Sequence, residues 1–119
     1  MVFKSYEYGI QKMITDDDIE KSIEFLQTSA LKTAQAKANR IYLDEYRKSL
    51  KAMIMKEHQD LPVSAQEREA YSDARYLNHL KAIRQAVQLD EQFRVERVHH
   101  EAKIEAWRSH SANMRAIKL

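Results

Sequence analysis

The chain has 119 residues, with 20 Lys and Arg against 18 Asp and Glu, a net charge of +2, one glycine, one proline and no cysteine. Its length bounds it to one domain, its charge balance excludes a histone-like polycation, and the lack of cysteine excludes a disulfide framework, a thiolate metal site and a cysteine nucleophile. Sheets with tight turns need Gly and Pro, whereas Ala, Leu, Lys, Glu, Arg and Gln favour helix, so the expected fold class is all-α.

The chain opens on an aromatic-rich segment, residues 1–14, with Phe3, Tyr6, Tyr8 and Gly9. It reads as an irregular arm that packs on a helix or on a neighbouring subunit. The start, "MVFKSYEYGI", lacks the apolar core of a signal peptide. No run approaches the ~20 apolar residues of a membrane span. These features point to a soluble, cytoplasmic protein without a membrane partner.

Helix one is expected over 16–60. Thr15 can cap it, and Asp16, Asp17 and Asp18 complement the positive end of its dipole. A stripe follows through Ile19, Ile23, Leu26, Ala30, Ala34, Ala38, Tyr42, Tyr46, Leu50 and Met53. Its mean step of about 3.8 residues is slightly longer than the 3.6 of a straight helix. The break is "HQDLPVSAQE", where Pro62 ends the first helix. Ser64 with Glu67 then reads as a capping box for a short helix over 64–72. Ser72 or Asp73 can cap again, and a last long helix is expected over 73–118.

In that last helix Tyr76, Leu80, Ile83 and Val87 make a seam. The same spacing then lands on Asp90, Arg94, Arg97, Glu101, Ile104 and Arg108. Two readings of the switch stand. Either the packing face rotates to Phe93, Val98, Ala102, Ile104 and Trp107, leaving Asp90–Arg94 and Arg97–Glu101 as solvated i,i+4 pairs. Or the charges face a partner helix or groove. A helix of roughly 40 residues is about 60 Å long, against a radius of gyration of ~13 Å for a compact domain of ~100 residues. Two such helices make a thin helical hairpin that leaves apolar surface uncovered, so assembly into a homo-oligomeric bundle is expected.

Candidate chemistry is sparse. Glu96 and His99 form one E-x-x-H, but a di-iron bundle needs a second copy and further Glu, so no metal and no other cofactor is expected. Ser109 and Ser111 flank His110, yet sequence neighbours on a helix do not face one another. There is no Gly-rich phosphate loop and no nucleophile elbow, and an enzyme is not expected. Charge is locally clustered: residues 32–60 carry seven basic against four acidic side chains, and residues 94–119 carry six against three. Candidate nucleic-acid contacts are therefore Arg47, Lys48 and Lys51 on the first helix and Arg94, Arg97, Lys103, Arg108 and Arg115 on the last. Rings among cations suit single strands, because bases stack while cations hold phosphates. Trp107, the only tryptophan, reads first as a structural anchor that turns its basic neighbours outward.

The stretches "IYLDEYRKSLKAMIMKE", "AQEREAYSDARYLNHLKAIRQAV" and "HEAKIEAWRSHSANMRA" resemble a family of small helical proteins encoded by tailed phages and prophages. The likeness covers about residues 31–116. Tyr46, Arg47, Lys48, Glu67, Arg68, Tyr71, Glu105, Trp107, Arg108, Asn113 and Arg115 fall on the shared positions, whereas His99, His100 and the aromatic arm do not. Such genes lie among phage early genes for recombination and replication, and the build is similar to that of recombination mediators. The resemblance implies an accessory protein of DNA recombination or replication in the bacterial cytoplasm. It would bind single-stranded DNA, or a recombinase, annealing or single-strand-binding partner. The alternative is a protein–protein adaptor, or an inhibitor of a host protein, that touches no DNA.

Overall fold

A computed structural model describes residues 14–118. Except for Ile14, the expected aromatic arm lies outside the described residues. Four helices follow: α1 (Asp16–Thr28), α2 (Ala30–Lys56), α3 (Val63–Ser72) and α4 (Ala74–Lys118). No strand occurs among the described residues, and the all-α class holds.

α1 starts as expected. The Thr15 hydroxyl accepts from the Asp18 amide at 3.1 Å, and the Asp18 carboxylate accepts from the Thr15 amide at 3.2 Å. Each side chain thus satisfies one otherwise orphaned donor of the first turn. The single helix expected over 16–60 is instead two, divided at Ser29. No glycine or proline marks the division, and Ser29 itself keeps right-handed helical torsions (φ −90°, ψ −4°). The Ser29 amide and hydroxyl both bond back to the Phe25 carbonyl, and the Arg97 guanidinium donates to the Leu26 carbonyl at 3.0 Å. A carbonyl held from the side lets the helix open locally without a breaker.

α2 ends at Lys56 and the chain turns through residues 57–61, closed by amides of Glu57, His58 and Leu61 bonding three residues back. Pro62 stands at the N-cap of α3 with no side-chain cap bond. The Ser64/Glu67 capping box does not form, because α3 begins at Val63 and Ser64 already lies inside the helix. The Gln66 amide instead donates to the Leu61 carbonyl at 2.7 Å. Asp73 caps α4, accepting from the Arg75 amide at 2.8 Å. Arg75 also makes a two-pronged pair with Glu57, so one side chain links the turn after α2 to the start of α4.

The described residues divide into two compact units, one holding 14–31 with 94–118, the other Lys32–Phe93. In the second unit, α2 turns Ala36, Arg40, Leu43, Arg47, Leu50 and Ile54 inward or half-inward. These positions alternate four and three residues apart, the signature of two helices meshing along a heptad seam. Ile54 is fully buried, packed with Ala70 of α3 and Tyr76 of α4, with Leu50 and Met55 around them. Asp90 of α4, only 8% exposed, meets Arg40 of α2 at 3.1 Å. His79 of α4 bonds the Leu43 carbonyl through Nε2 at 2.6 Å. Paired residues advance along α2 (Arg40, Leu43, Ile54) as they recede along α4 (Asp90, His79, Tyr76), so the two run antiparallel within this unit.

The first unit repeats the pattern with α1. Ile19 and Ser22 are buried, and Phe25 and Leu26 are half-buried. His100 Nδ1 lies 2.8 Å from the Ser22 hydroxyl, and its ring packs on Phe25 with centroids 4.4 Å apart. Arg97 reaches the Leu26 carbonyl and the Ser29 hydroxyl. Here too the helices are antiparallel, Asp16 meeting Trp107 and Ser22 meeting His100.

Along α4 the inward positions are Tyr76, His79, Ile83, Ala86, Asp90, Phe93, Arg97, His100, Ile104, Trp107 and Ser111, strictly alternating three and four apart. The expected seam is therefore half wrong: Leu80, Val87, Arg94, Glu101 and Arg108 all lie on the exposed side. The rotated apolar face holds in part: Phe93, Ile104 and Trp107 turn inward, whereas Val98 and Ala102 are exposed. Asp90 and Arg97 face a partner helix, as the second reading of the switch had it. A charge there is tolerable because each has a bonded partner, which a buried polar group requires. The first-helix stripe is corrected too. Only Ile19 of it is buried, with Leu26 and Leu50 half-buried; Ala34, Ala38, Tyr42, Tyr46 and Met53 are exposed.

Candidate nucleic-acid interface

Local bonding decides what each basic side chain can do. In the second unit, Lys51 of α2 donates to the Tyr71 hydroxyl of α3 at 2.7 Å, lies 4.6 Å from that ring's centroid and stands 3.7 Å from Glu67. The tyrosine bond, with Glu67 behind it, holds the lysine charged and raises its pKa. Lys51 is thus a clasp between α2 and α3, not a cation turned to a ligand. Arg47 sits half-buried on the inward side of α2, 3.6 Å from Asp44. Lys48 is well exposed and pairs with Glu45 at 3.5 Å. Exposed pairs of this kind hold their charges weakly, by about 0–1 kcal/mol.

In the first unit, Arg97 is spent on the α1 carbonyl and the Ser29 hydroxyl. Lys103 is half-buried and close enough to α1 to help lower the Asp18 pKa, behind the larger effect of the two Thr15 hydrogen bonds. Arg94 is exposed. Arg108 is exposed and 3.5 Å from Glu105, one turn before it on the same helix. Arg115 is exposed two turns further along.

Trp107 is half-buried, and its indole N–H donates to Asp16 at 3.2 Å. The ring thereby ties α4 to the first turn of α1. An open depression of about 600 Å³ runs beside it along α4, lined by Glu105, Trp107, Arg108, Ser109, Ser111, Ala112 and Arg115. The ring contributes to this depression beside two arginines, Arg108 and Arg115, seven residues apart on one side of it. Seven residues of helix span about 10 Å. Of the eight expected contacts, five thus belong to the first unit and three to the second. Only Arg108 and Arg115 line this depression with Trp107. Sequence reasoning could not sort them, because nothing in an arginine's spacing says whether a carbonyl waits across the seam.

Among the described residues, no group of three or more His, Cys, Asp or Glu side chains gathers in a way that could hold a metal ion. His99 and His100 have ring centroids 5.6 Å apart, but His100 is turned inward onto Ser22 and Phe25. Burial is the main cause that lowers the His100 pKa, with His99 and Lys103 adding repulsion and Glu96 opposing them. A histidine that folds preferentially neutral takes up fewer protons than its unfolded form. Its stabilising share is therefore complete above the unfolded pKa of ~6.5 and is lost as pH falls through the lower folded value. Stability measured by urea unfolding should decline as pH falls below about 6.5, and His100→Gln should flatten that decline. An unchanged slope in the variant would remove His100 as its source.

No helix among the described residues is long and apolar enough to cross a membrane. No family model matches the chain, and neither a curated protein nor a solved structure matches it.

Proposed function

We propose that this chain is a non-enzymatic accessory protein of phage DNA recombination or replication, acting in the cytoplasm of the bacterial host. In this reading its long helices form a hairpin that self-associates. It engages single-stranded DNA, or the recombinase or single-strand-binding protein that coats it, through the end of α4. The observation that carries the reading is the pair of exposed guanidinium groups, Arg108 and Arg115, that line one depression together with the half-buried Trp107. Cations beside a ring suit a flexible strand better than a rigid duplex, since a splayed base can reach the ring. The phage resemblance of the "IEAWRSHSANMRA" end supplies the biological setting.

A titration with single-stranded oligonucleotide at two salt concentrations tests it. Each phosphate contact contributes about 0.7 to the slope of log affinity against log salt. Arg108→Ala and Arg115→Ala should each weaken binding and flatten that slope, with helix content unchanged. A wild type without salt-dependent binding would leave the adaptor reading in its place.

A further inference from the structure

The outward side of α2 carries a feature that a solvated helix does not require. At about 100° per residue, Gln35, Ala38, Tyr42, Tyr46, Ser49 and Met53 share one sector roughly 100° wide. All six are exposed, Tyr42 by 63%. Every charged residue between Gln35 and Met53 falls on the rest of the circumference. The strip runs about 27 Å along the helix, and the Tyr42 and Tyr46 rings stack on it at 6.1 Å and 18°. A surface helix normally turns charge outward, and a contiguous uncharged aromatic strip marks a contact surface.

We infer that this strip is the face on which a second copy of the chain docks, antiparallel, about a two-fold axis at Tyr42. A two-fold contact sets each residue against its mirror position, and this strip is nearly palindromic about Tyr42. Ala38 comes opposite Tyr46, small against large. Gln35 comes opposite Ser49, an amide against a hydroxyl. Tyr42 meets its own copy. No like charges meet, because the strip has none, and for the same reason it offers nothing to phosphate, which needs cations. One helix width of about 10 Å over this length gives a contact smaller than the ~1,200–2,000 Å² total of standard specific interfaces, so the dimer is weak and concentration-dependent. The inference gives a face to the self-association in the proposed function and does not depend on DNA binding.

Sedimentation velocity over micromolar concentrations should show the 14.1 kDa chain converting to a species of twice that mass. Tyr42→Glu puts two carboxylates together on the axis and should weaken dimerisation by at least about tenfold. Ala38→Glu, which touches nothing inside the fold, should do the same. Val95→Glu, at an exposed position on α4, should not. Because the chain has no cysteine, Tyr42→Cys alone should form an interchain disulfide under mild oxidation. Ser49→Cys alone should not, as its two copies stand about 21 Å apart along the axis. A wild type that stays monomeric at about 100 µM, or a Glu variant at either position that dimerises normally, overturns the inference. Single-strand titration of Ala38→Glu separates the two proposals: loss of the dimer with retained salt-dependent binding leaves the DNA reading intact.

Discussion

Ile54→Ala is expected to lower the unfolding free energy by about 3 kcal/mol, within the 2–5 kcal/mol range of large-to-small changes in a packed core. Ile54 is the largest fully buried side chain among the described residues. Its neighbours come from three helices: Leu50 and Met55 on α2, Ala70 on α3 and Tyr76 on α4. The remaining buried apolar residues are Ile19 and small alanines besides Tyr76, so no other aliphatic group can take over its role. Against a total of about 5–15 kcal/mol for a typical domain, the loss is a large fraction. It should appear as a lower urea midpoint, with Ile54→Val losing only about 1 kcal/mol. A loss below about 1 kcal/mol for Ile54→Ala would mean that the site collapses around the smaller side chain and that the three-helix junction is not the main core.

Such a meagre apolar core has a counterpart in the seam of α4. Tyr76, Ile83, Phe93 and Ile104 alternate there with His79, Asp90, Arg97 and His100. Each polar member meets a defined acceptor or donor across the seam: the Leu43 carbonyl, Arg40, the Leu26 carbonyl and the Ser22 hydroxyl. A greasy seam can slide by a heptad with little change in contacts, whereas each of these pairs fits one register only. The polar members thus fix alignment, and the few apolar ones supply the driving force.

The same feature explains how far the sequence was legible. Composition and the single Gly and Pro led to helices, and Thr15, Pro62 and Asp73 marked three ends through local chemistry that depends on few neighbours. The division at Ser29 was not legible, since it depends on Arg97, remote in sequence. The seam of α4 misled for a definite reason. Hydropathy selects Leu80 and Val87, and these are exposed, while the inward positions beside them are His79 and Ala86. Apolar periodicity finds a packing face only where that face is the more apolar one. On α2 the error had the same form: the apolar stripe through Ala38, Tyr42 and Tyr46 is real, but the monomer turns it outward. Trp107 was legible as an anchor candidate because a lone ring at seam spacing has few alternatives. Which basic side chains remained turned outward was not, because Lys51 and Arg97 are engaged by partners far along the chain.

Trp107→Ala carries the second large expectation, and it bears directly on the candidate interface. A fully buried tryptophan truncated to alanine costs about 3–5 kcal/mol. Trp107 is half-buried, so about 2–3 kcal/mol is expected on the same scale, with a further part from its bond to Asp16. Trp107→Phe should recover most of this, losing chiefly the hydrogen bond at about 0.5–1.5 kcal/mol. Asp16→Asn keeps an acceptor for the indole and should change little. If the ring is an anchor, the affinity of the Phe variant for single strands should stay close to that of the wild type, because Arg108 and Arg115 keep their places on α4. The opposite result is equally sharp. Base stacking on an aromatic ring is worth about 1–3 kcal/mol per base by alanine substitution. An alanine variant that unfolds at the wild-type urea midpoint but binds oligonucleotide tenfold or more weakly, a change of about 1.4 kcal/mol, would make Trp107 a stacking platform. The half-exposed edge in the Arg108–Arg115 depression would then be the part of the residue under selection.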